Sequence, residues 1–232
     1  MLNFDQYEVL TFDCYGTLID WETGILSAIR KLLLNHQIDI PANRILELFA
    51  ILESKSERGD FQNYKSVLRC VIEGFGKELG FIPNEPELYC LVESLKGWQP
   101  FPDTVEALQQ LKTKYRLSVI SNIDDDLFSF SAQHLQLPFD WVITAEQVRS
   151  YKPSLNNFIS AIETIGVPKG NILHVAQSIH HDIIPAKQIG LSTVWVNRRH
   201  DKKGFGATLP AHEKPDLEVP NLAKLVDIIG IS

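Results

Sequence analysis

The sequence is short of several features that define whole classes of protein. It has only three cysteines, and Cys14, Cys70 and Cys90 are so far apart that neither a disulfide framework nor a cysteine zinc site is indicated. No apolar run is long enough to span a bilayer, and the segment MLNFDQYEV lacks the basic and apolar regions of a signal peptide. We therefore expect a cytoplasmic protein with reduced thiols.

Basic residues are also fewer than acidic residues. The chain has 22 Lys and Arg against 29 Asp and Glu, a formal net charge of −7. Nucleic acids and anionic membranes require dense basic patches, so neither is expected as a partner. A small anionic molecule needs only local positive groups in a pocket. The 232 residues contain no repeat or low-complexity tract, and 44% of them are hydrophobic, which is typical of a globular fold with a substantial core.

The order of apolar runs predicts the fold class. The run YEVLTFD, residues 7–13, is short and rich in β-formers, as in a strand buried on both faces. After residue 102, helical and strand patterns alternate. Helices are predicted at 103–115, 126–135, 154–165, 180–189 and 221–229, and strands at 117–121, 141–144, 172–176 and 193–197. This alternation indicates an α/β fold with a Rossmann-like, doubly wound parallel sheet.

One long segment breaks this alternation. Between residues 22 and 97 the apolar residues recur only at helical spacing, and Gly80 is placed to end one of the helices. We interpret residues 22–97 as an inserted helical cap. Residues 1–21 and 98–232 then form the catalytic core.

Polar residues that follow the predicted strands are the first candidates for a site. In parallel sheets, ligands bind outside the carboxyl ends of the strands. Each candidate alone has a simpler explanation, because Asp, Ser and Asn commonly end strands or cap helices. The residues at these strand ends are Asp13, Cys14, Tyr15, Thr17, Ser121, Asn122, Lys152, Ser178, His181 and Asp182.

Taken in order, these segments resemble a known family. The motifs DCYGTL at 13–18, SN at 121–122, KP at 152–153 and VAQSIHHD at 175–182 resemble the four motifs of the haloacid dehalogenase superfamily in order and spacing. The resemblance implies that Asp13 is a covalent nucleophile and that Lys152 positions it and lowers its pKa. It also implies that Thr17 and Ser121 bind the second oxygen of Asp13.

The remaining roles follow from the same resemblance. Asp182 is expected to orient Lys152 or the hydrolytic water. Asn122 and the backbone N–H groups of residues 14–16 are expected to hold a substrate carboxylate. Ser178 and His181 are expected to line the substrate pocket, with His181 a possible proton carrier.

At two positions the sequence departs from most members of the superfamily, and these departures indicate a particular branch. Most members are magnesium-dependent phosphatases with a second Asp two residues after the nucleophile, but Tyr15 stands there. The fourth motif usually supplies a further acid, but Gln177 occupies that place, which leaves few anionic oxygens for Mg²⁺. Both departures match the type II 2-haloacid dehalogenase branch. The resemblance then implies displacement of a halide at C2 by Asp13 with neither metal nor cofactor, followed by hydrolysis of the aspartyl ester.

The predicted cap departs from that branch as well. A rough alignment places Leu48 where well-studied dehalogenases have an arginine that assists halide departure. The cradle of the leaving group is therefore unassigned, with Trp21 among its candidates; the others are Phe49, Arg58, Phe61, Tyr64 and Arg69. Arg198 follows a predicted strand and could attract an anion. A homodimer is suggested by the resemblance alone.

Several alternatives stay open from the sequence. The chain could be a magnesium-dependent phosphatase that tolerates Tyr15, a hydrolase that opens the ring of azetidine-2-carboxylate, or a catalytically silent protein that binds a small acid or a partner. A metal site at His180, His181 and Asp182 is disfavoured, because adjacent helical residues point about 100° apart.

Overall fold

The core of the molecule is a six-stranded parallel sheet. The computed structural model describes residues 2–231. Its strands are β1 (Val9–Phe12), β2 (Arg116–Ser121), β3 (Trp141–Thr144), β4 (Ile172–Ala176), β5 (Ser192–Val196) and β6 (Leu217–Val219). They lie in the order β3-β2-β1-β4-β5-β6, and all neighbouring pairs are parallel. The predicted Rossmann-like α/β class is confirmed.

Strand β1 is buried on both faces, as its nearly continuous apolar sequence predicts. Leu10 and Phe12 belong to a large hydrophobic cluster on one face, and Val9 belongs to a second cluster on the other. All three side chains are fully buried. The strand order reverses between β1 and β4, and this switch point is where doubly wound sheets form their ligand crevice.

Residues 21–97 contain helices and no strand. The helices are α1 (Trp21–Asn35), α2 (Ala42–Ser56), α3 (Tyr64–Leu79), α4 (Glu85–Leu88) and α5 (Cys90–Ser94). Gly80 ends α3 in the left-handed conformation, with φ 79°, as expected. Phe49 of α2 and Val67 of α3 belong to the same hydrophobic cluster as Leu10 of β1, so the core of this helical segment is continuous with that of the sheet. Its treatment as a separate cap domain stays a prediction.

The other helices cover the sheet. They are α6 (Thr104–Lys112), α7 (Asp125–Leu135), α8 (Ala145–Val148), α9 (Leu155–Ile165), α10 (Ile184–Gln188) and α11 (Leu222–Ile229). The helix predicted at 180–189 is instead a π-helical turn, Ile179–Ile183, followed by α10. Strand β6 and helix α8 were not predicted, because a strand of three residues and a helix of a single turn are too short to show a period.

Two further findings bear on the expectations from composition. Cys14, Cys70 and Cys90 are all free thiols. Within residues 2–231, no helix has the length and apolar character needed to cross a membrane.

Candidate active site

The candidate active site lies at the carboxyl edge of the sheet. Asp13 directly follows β1, whose neighbours β2 and β4 end at Ser121 and Ala176. The loop after β1 turns sharply at Gly16, with φ 92°. A Cβ atom there would lie 2.9 Å from Trp21 Nε1 and 3.0 Å from Gln177 Oε1, so the turn requires glycine.

Arg198 stabilises this loop from outside the cavity. Its Nη2 and Nε donate hydrogen bonds to the carbonyl oxygen of Thr17, at 2.9 and 3.2 Å. Its Nη1 lies 2.6 Å from Asp103 Oδ1. The prediction that Arg198 attracts an anion is therefore wrong in this structure, because a carboxylate and a backbone carbonyl already engage its guanidinium.

Lys152 joins two buried carboxylates. Its Nζ lies 2.9 Å from Asp13 Oδ1 and 2.7 Å from Asp182 Oδ1, and it donates a third hydrogen bond to the carbonyl oxygen of Ile120 at 2.8 Å. Lys152 is 2% exposed, Asp13 6% and Asp182 0%. An ammonium has three protons, so these bonds engage all of them and fix the side chain. The second oxygen of Asp13, Oδ2, accepts a hydrogen bond from Thr17 Oγ1 at 2.6 Å, as expected.

The pKa of Asp13 differs from the expectation that Lys152 lowers it. Burial is the largest influence on the pKa of Asp13 and raises it. Lys152 lowers it, Asp182 raises it, and the hydrogen bonds from Lys152 and Thr17 lower it, so that the net pKa lies above the ordinary value. The expected lowering by the ammonium is present but is outweighed. For Asp182, burial also raises the pKa, but Lys152 and His174 together bring it below the ordinary value.

A buried polar chain supports Asp182 from β4 and β1. His174 Nε2 lies 3.1 Å from Asp182 Oδ1, and His174 Nδ1 lies 2.9 Å from Thr11 Oγ1. His174 is fully buried. His174 was not predicted from the sequence, because a single histidine inside a strand pattern carries no positional signal.

Asp13 opens into a small cavity of about 30 Å³ between the sheet edge and α2 and α3. A cavity of this size holds roughly two water molecules, which favours a small ligand. The residues that line it are Asp13, Tyr15, Trp21, Glu53, Tyr64, Ser121, Asn122, Lys152, Ser178, His181, Asp182 and Thr208. Most of the sequence-predicted site residues therefore lie together.

Cys14 is expected to act through its backbone N–H group, which stays a prediction; its side chain is fully buried and does not line the cavity, and burial raises the pKa of its thiol. Four other predicted site residues differ from their expected roles. Gly16 N–H donates to the carbonyl oxygen of Ile19, so it is not available to a substrate. Ser121 Oγ lines the cavity but has no hydrogen-bond partner within residues 2–231, so it does not bind Asp13 as expected.

Asn122 and His181 are the other two. The Asn122 side chain accepts a hydrogen bond from the backbone N–H of Lys152 at 2.7 Å and donates one to the carbonyl oxygen of Lys152 at 3.0 Å. Its amide group therefore positions Lys152 and is not free to bind a substrate carboxylate. Burial lowers the pKa of His181 to about 3. The imidazole is therefore neutral near pH 7, which argues against its expected role as a proton carrier, although it lines the cavity as expected.

Tyr15 occupies the position at which the resemblance places the general acid of a phosphatase. Its hydroxyl lies 2.8 Å from Ser131 Oγ, and its ring packs edge-on against Trp98 with centroids 5.9 Å apart. Burial raises the pKa of Tyr15 well above its usual value. The hydroxyl is committed to Ser131, which supports the expectation that Tyr15 does not replace the missing aspartate.

The helical segment 21–97 contributes three cavity residues, of which the sequence singled out Trp21 and Tyr64 but missed Glu53. Glu53 gave no signal because it sits among charged residues at the end of α2. Leu48 is buried in the core, and Phe49 packs edge-on against Trp21. The other candidates lie elsewhere: Phe61 stacks on Tyr151, Arg69 pairs with Glu73, and Arg58 lines a neighbouring pocket.

The acidic residues do not fit the Mg²⁺ site of the family's phosphatases. Gln177 replaces one acid, and its Oε1 is buried without a hydrogen-bond partner within the described chain. The other two acids, Asp13 and Asp182, both direct Oδ1 at the Lys152 ammonium. Across residues 2–231, no group of three His, Cys, Asp or Glu side chains is arranged to hold a metal ion.

Comparison with known proteins now identifies the family. The family described as haloacid dehalogenase-like hydrolase matches residues 7–190. The chain belongs to this family of hydrolases, as its motifs indicated.

Its relatives include enzymes of two kinds. The chain is 30% identical over 201 residues to the glyceraldehyde 3-phosphate phosphatase of Methanothermobacter thermautotrophicus, covering 80% of this chain and 84% of that one. It is 27% identical over 227 residues to (S)-2-haloacid dehalogenase H-109 of Pseudomonas putida, covering 90% and 94%. The structure of L-2-haloacid dehalogenase from Xanthobacter autotrophicus superimposes with a TM-score of 0.80 at 22% identity, covering 97% and 100%. That structural likeness shows the fold.

Proposed function

We propose that this protein is a metal-independent hydrolase that displaces a halide from C2 of a small 2-substituted carboxylic acid. The observation that carries the proposal is the Asp13–Lys152–Asp182 cluster beside Tyr15. It provides a carboxylate nucleophile with a fixed ammonium, but neither a general acid at Tyr15 nor a third acid at Gln177. A halide can leave without being protonated, whereas an alkoxide leaving from a phosphate ester needs a proton.

Asp13 begins the reaction. One oxygen of its carboxylate attacks C2, the C2–halogen bond breaks, and its electron pair leaves with the halide to give an aspartyl ester. Lys152 and Thr17 hold the two carboxylate oxygens in one orientation, at 2.9 and 2.6 Å. A fixed nucleophile avoids the entropy cost of orientation at the moment of attack.

Hydrolysis of the ester restores the enzyme. Water attacks the carboxyl carbon of Asp13, and the bond from that carbon to the ester oxygen breaks. One proton of the water goes to the departing oxygen, which gives the 2-hydroxy acid, and the other is released as the Asp13 carboxylate forms again. Asp182 supports this step, because its Oδ2 has no hydrogen-bond partner within the described residues while its Oδ1 is held by Lys152 and His174. Oδ2 is thus available to accept a hydrogen bond from the attacking water.

Two hydroxyl groups are suited to the substrate carboxylate. Ser121 Oγ has no partner within residues 2–231, and Ser178 Oγ accepts from His181 N–H at 2.9 Å, which leaves its own proton free to donate. Both serines line the cavity beside Lys152. Hydroxyl donors next to an ammonium favour a carboxylate ligand.

The second candidate is phosphate-ester hydrolysis, which the 30% identity to a phosphatase favours. The two are separated by incubating the protein with 2-chloropropionate in EDTA and, in parallel, with a generic phosphate ester and Mg²⁺. The proposal expects chloride release in EDTA that is abolished in Asp13→Asn. Release of phosphate only with Mg²⁺, and no release of chloride, would overturn it in favour of the phosphatase.

A further inference from the structure

Glu53 places a carboxyl group on the cap side of the cavity, opposite the sheet edge that holds Asp13. It lies near the end of α2, is 5% exposed, and lines the same cavity as Asp13 and Lys152. Tyr64 OH, from α3, donates a hydrogen bond to Glu53 Oε1. Within residues 2–231, the hydrogen bond from Tyr64 to Oε1 is the only one to the Glu53 carboxyl group, so Oε2 is left for a ligand in the cavity.

The surroundings of Glu53 disfavour its ionised form. The cavity already contains Asp13 and Asp182, and Lys152 is the single ammonium among the residues that line it. Burial raises the pKa of Glu53 to about 8, although the hydrogen bond from Tyr64 lowers it. The titratable groups that share the cavity or adjoin Glu53 are Tyr64 of α3, Glu57 of α2, Asp13 and Tyr15 of the loop after β1, Tyr151 and Lys152 before α9, and His181 and Asp182 of the π-helical turn.

A neutral carboxylic acid can do what a carboxylate cannot. Its O–H donates a hydrogen bond to a departing anion, whereas an ionised carboxylate would repel that anion. No arginine lines this cavity within the described chain, and Leu48, at the position the resemblance indicated, is buried in the core. From the helical segment, the acid of Glu53 and the indole N–H of Trp21 are therefore the donors available to the leaving group, and of these two only Glu53 titrates.

We propose that Glu53 is a catalytic residue that acts in its protonated form and donates a hydrogen bond through Oε2 to the halide as it leaves C2. This inference rests on the proposed function. As the Asp13–C2 bond forms and the C2–halogen bond breaks, the electron pair goes to the halide and the proton stays on Glu53. The benefit is greatest for fluoride, because it is the strongest hydrogen-bond acceptor of the halides, so the site suits 2-fluoro acids as well as chloro and bromo acids.

Two substitutions separate this role from a structural one. Glu53→Gln keeps the shape, the acceptor for Tyr64 and an N–H donor, but does not titrate. Glu53→Met keeps the approximate volume and removes the donor. We expect Glu53→Met to lower kcat/KM for 2-fluoropropionate by about 10- to 100-fold, and for 2-bromopropionate by a smaller factor. Glu53→Gln should stay within about fivefold of the native enzyme near neutral pH.

The pH profile gives the second readout. The acid form is lost as the pH rises through the pKa of Glu53, about 8, so halide release by the native enzyme should fall on the alkaline side near that pH. Glu53→Gln should lack this alkaline fall. Tyr64→Phe should move it to higher pH, because the Tyr64 hydrogen bond lowers the pKa of Glu53. Glu78→Gln, an exposed glutamate of α3, is the matched control and should leave the profile unchanged.

The experiment measures halide release from 2-fluoro- and 2-bromopropionate for the native protein and these four variants between about pH 6 and 10. Equal loss for both halides in Glu53→Met, or an alkaline fall that survives in Glu53→Gln, would overturn the role of Glu53 while leaving the proposed function intact. If the native protein releases no halide from any 2-halo acid, the proposed function fails and this inference fails with it.

Discussion

Replacing Lys152 with methionine removes the one cation between two buried carboxylates, and its effect can be estimated from the structure. At 2.9 and 2.7 Å and an effective dielectric constant of 20, each contact contributes about 6 kcal/mol of Coulomb energy, most of which offsets the desolvation of the three charges. Removing one partner of such a pair typically costs about 3–5 kcal/mol. We expect Lys152→Met to lower the free energy of unfolding by this amount at neutral pH.

The loss should depend on pH with a definite sign. Without the ammonium, the pKa of Asp13 or Asp182 rises far above its value in the unfolded chain, so the folded variant binds a proton that the unfolded chain lacks. Its stability therefore increases as the pH falls towards the unfolded pKa, and the deficit relative to the native protein is smaller at about pH 5.5 than at about pH 7.5.

Urea denaturation followed by circular dichroism at both pH values measures this deficit. Lys31→Met, an exposed lysine of α1, is the control and should change stability by less than about 0.5 kcal/mol. A deficit below about 1 kcal/mol at both pH values would refute the view that Lys152 is the counter-ion of this cluster.

Three further predictions concern the same site. Burial raises the pKa of Asp13 by more than the charge of Lys152 lowers it. As the pH is lowered, kcat/KM should therefore fall with a pKa above the ordinary value for aspartate, and a pH-rate profile checks this. His174→Gln should raise the pKa of Asp182 and cost about 1–3 kcal/mol of stability, measurable by urea denaturation, because it breaks a fully buried hydrogen-bonded chain. Arg198→Met should destabilise the loop after β1 by about 1.5–3 kcal/mol, without contacting the cavity, and faster proteolysis of this loop would report the change.

Much of the core was predictable because its physical signals are local. A strand buried on both faces must be apolar throughout, so the run ending at Phe12 identified β1 and placed Asp13 at the sheet edge. Parallel strands bring their carboxyl ends together, so the residues after β1, β2 and β4 had to converge. The contacts of Lys152 with Asp13 and Asp182 follow from that convergence and from the order of the motifs.

The parts that were missed depend on contacts across the fold. Glu53 looks like any surface glutamate in α2, and only the packing of α2 over the sheet edge buries it in the cavity. Arg198 follows a strand, yet its partner Asp103 comes from the start of α6 and could not be paired with it from spacing. The net pKa shift of Asp13 depends on how completely the cavity closes, which no sequence pattern reports.

The proposed function depends most directly on a covalent bond to Asp13. The measurement is a single turnover, with enzyme in excess over 2-chloropropionate, in ¹⁸O-water, followed by mass spectrometry of the peptide that contains Asp13 and of the product. We expect one ¹⁸O atom in the Asp13 carboxylate and none in the 2-hydroxy acid, because water attacks the aspartyl carbon of the ester. Appearance of ¹⁸O in the product with an unlabelled Asp13 would contradict the account.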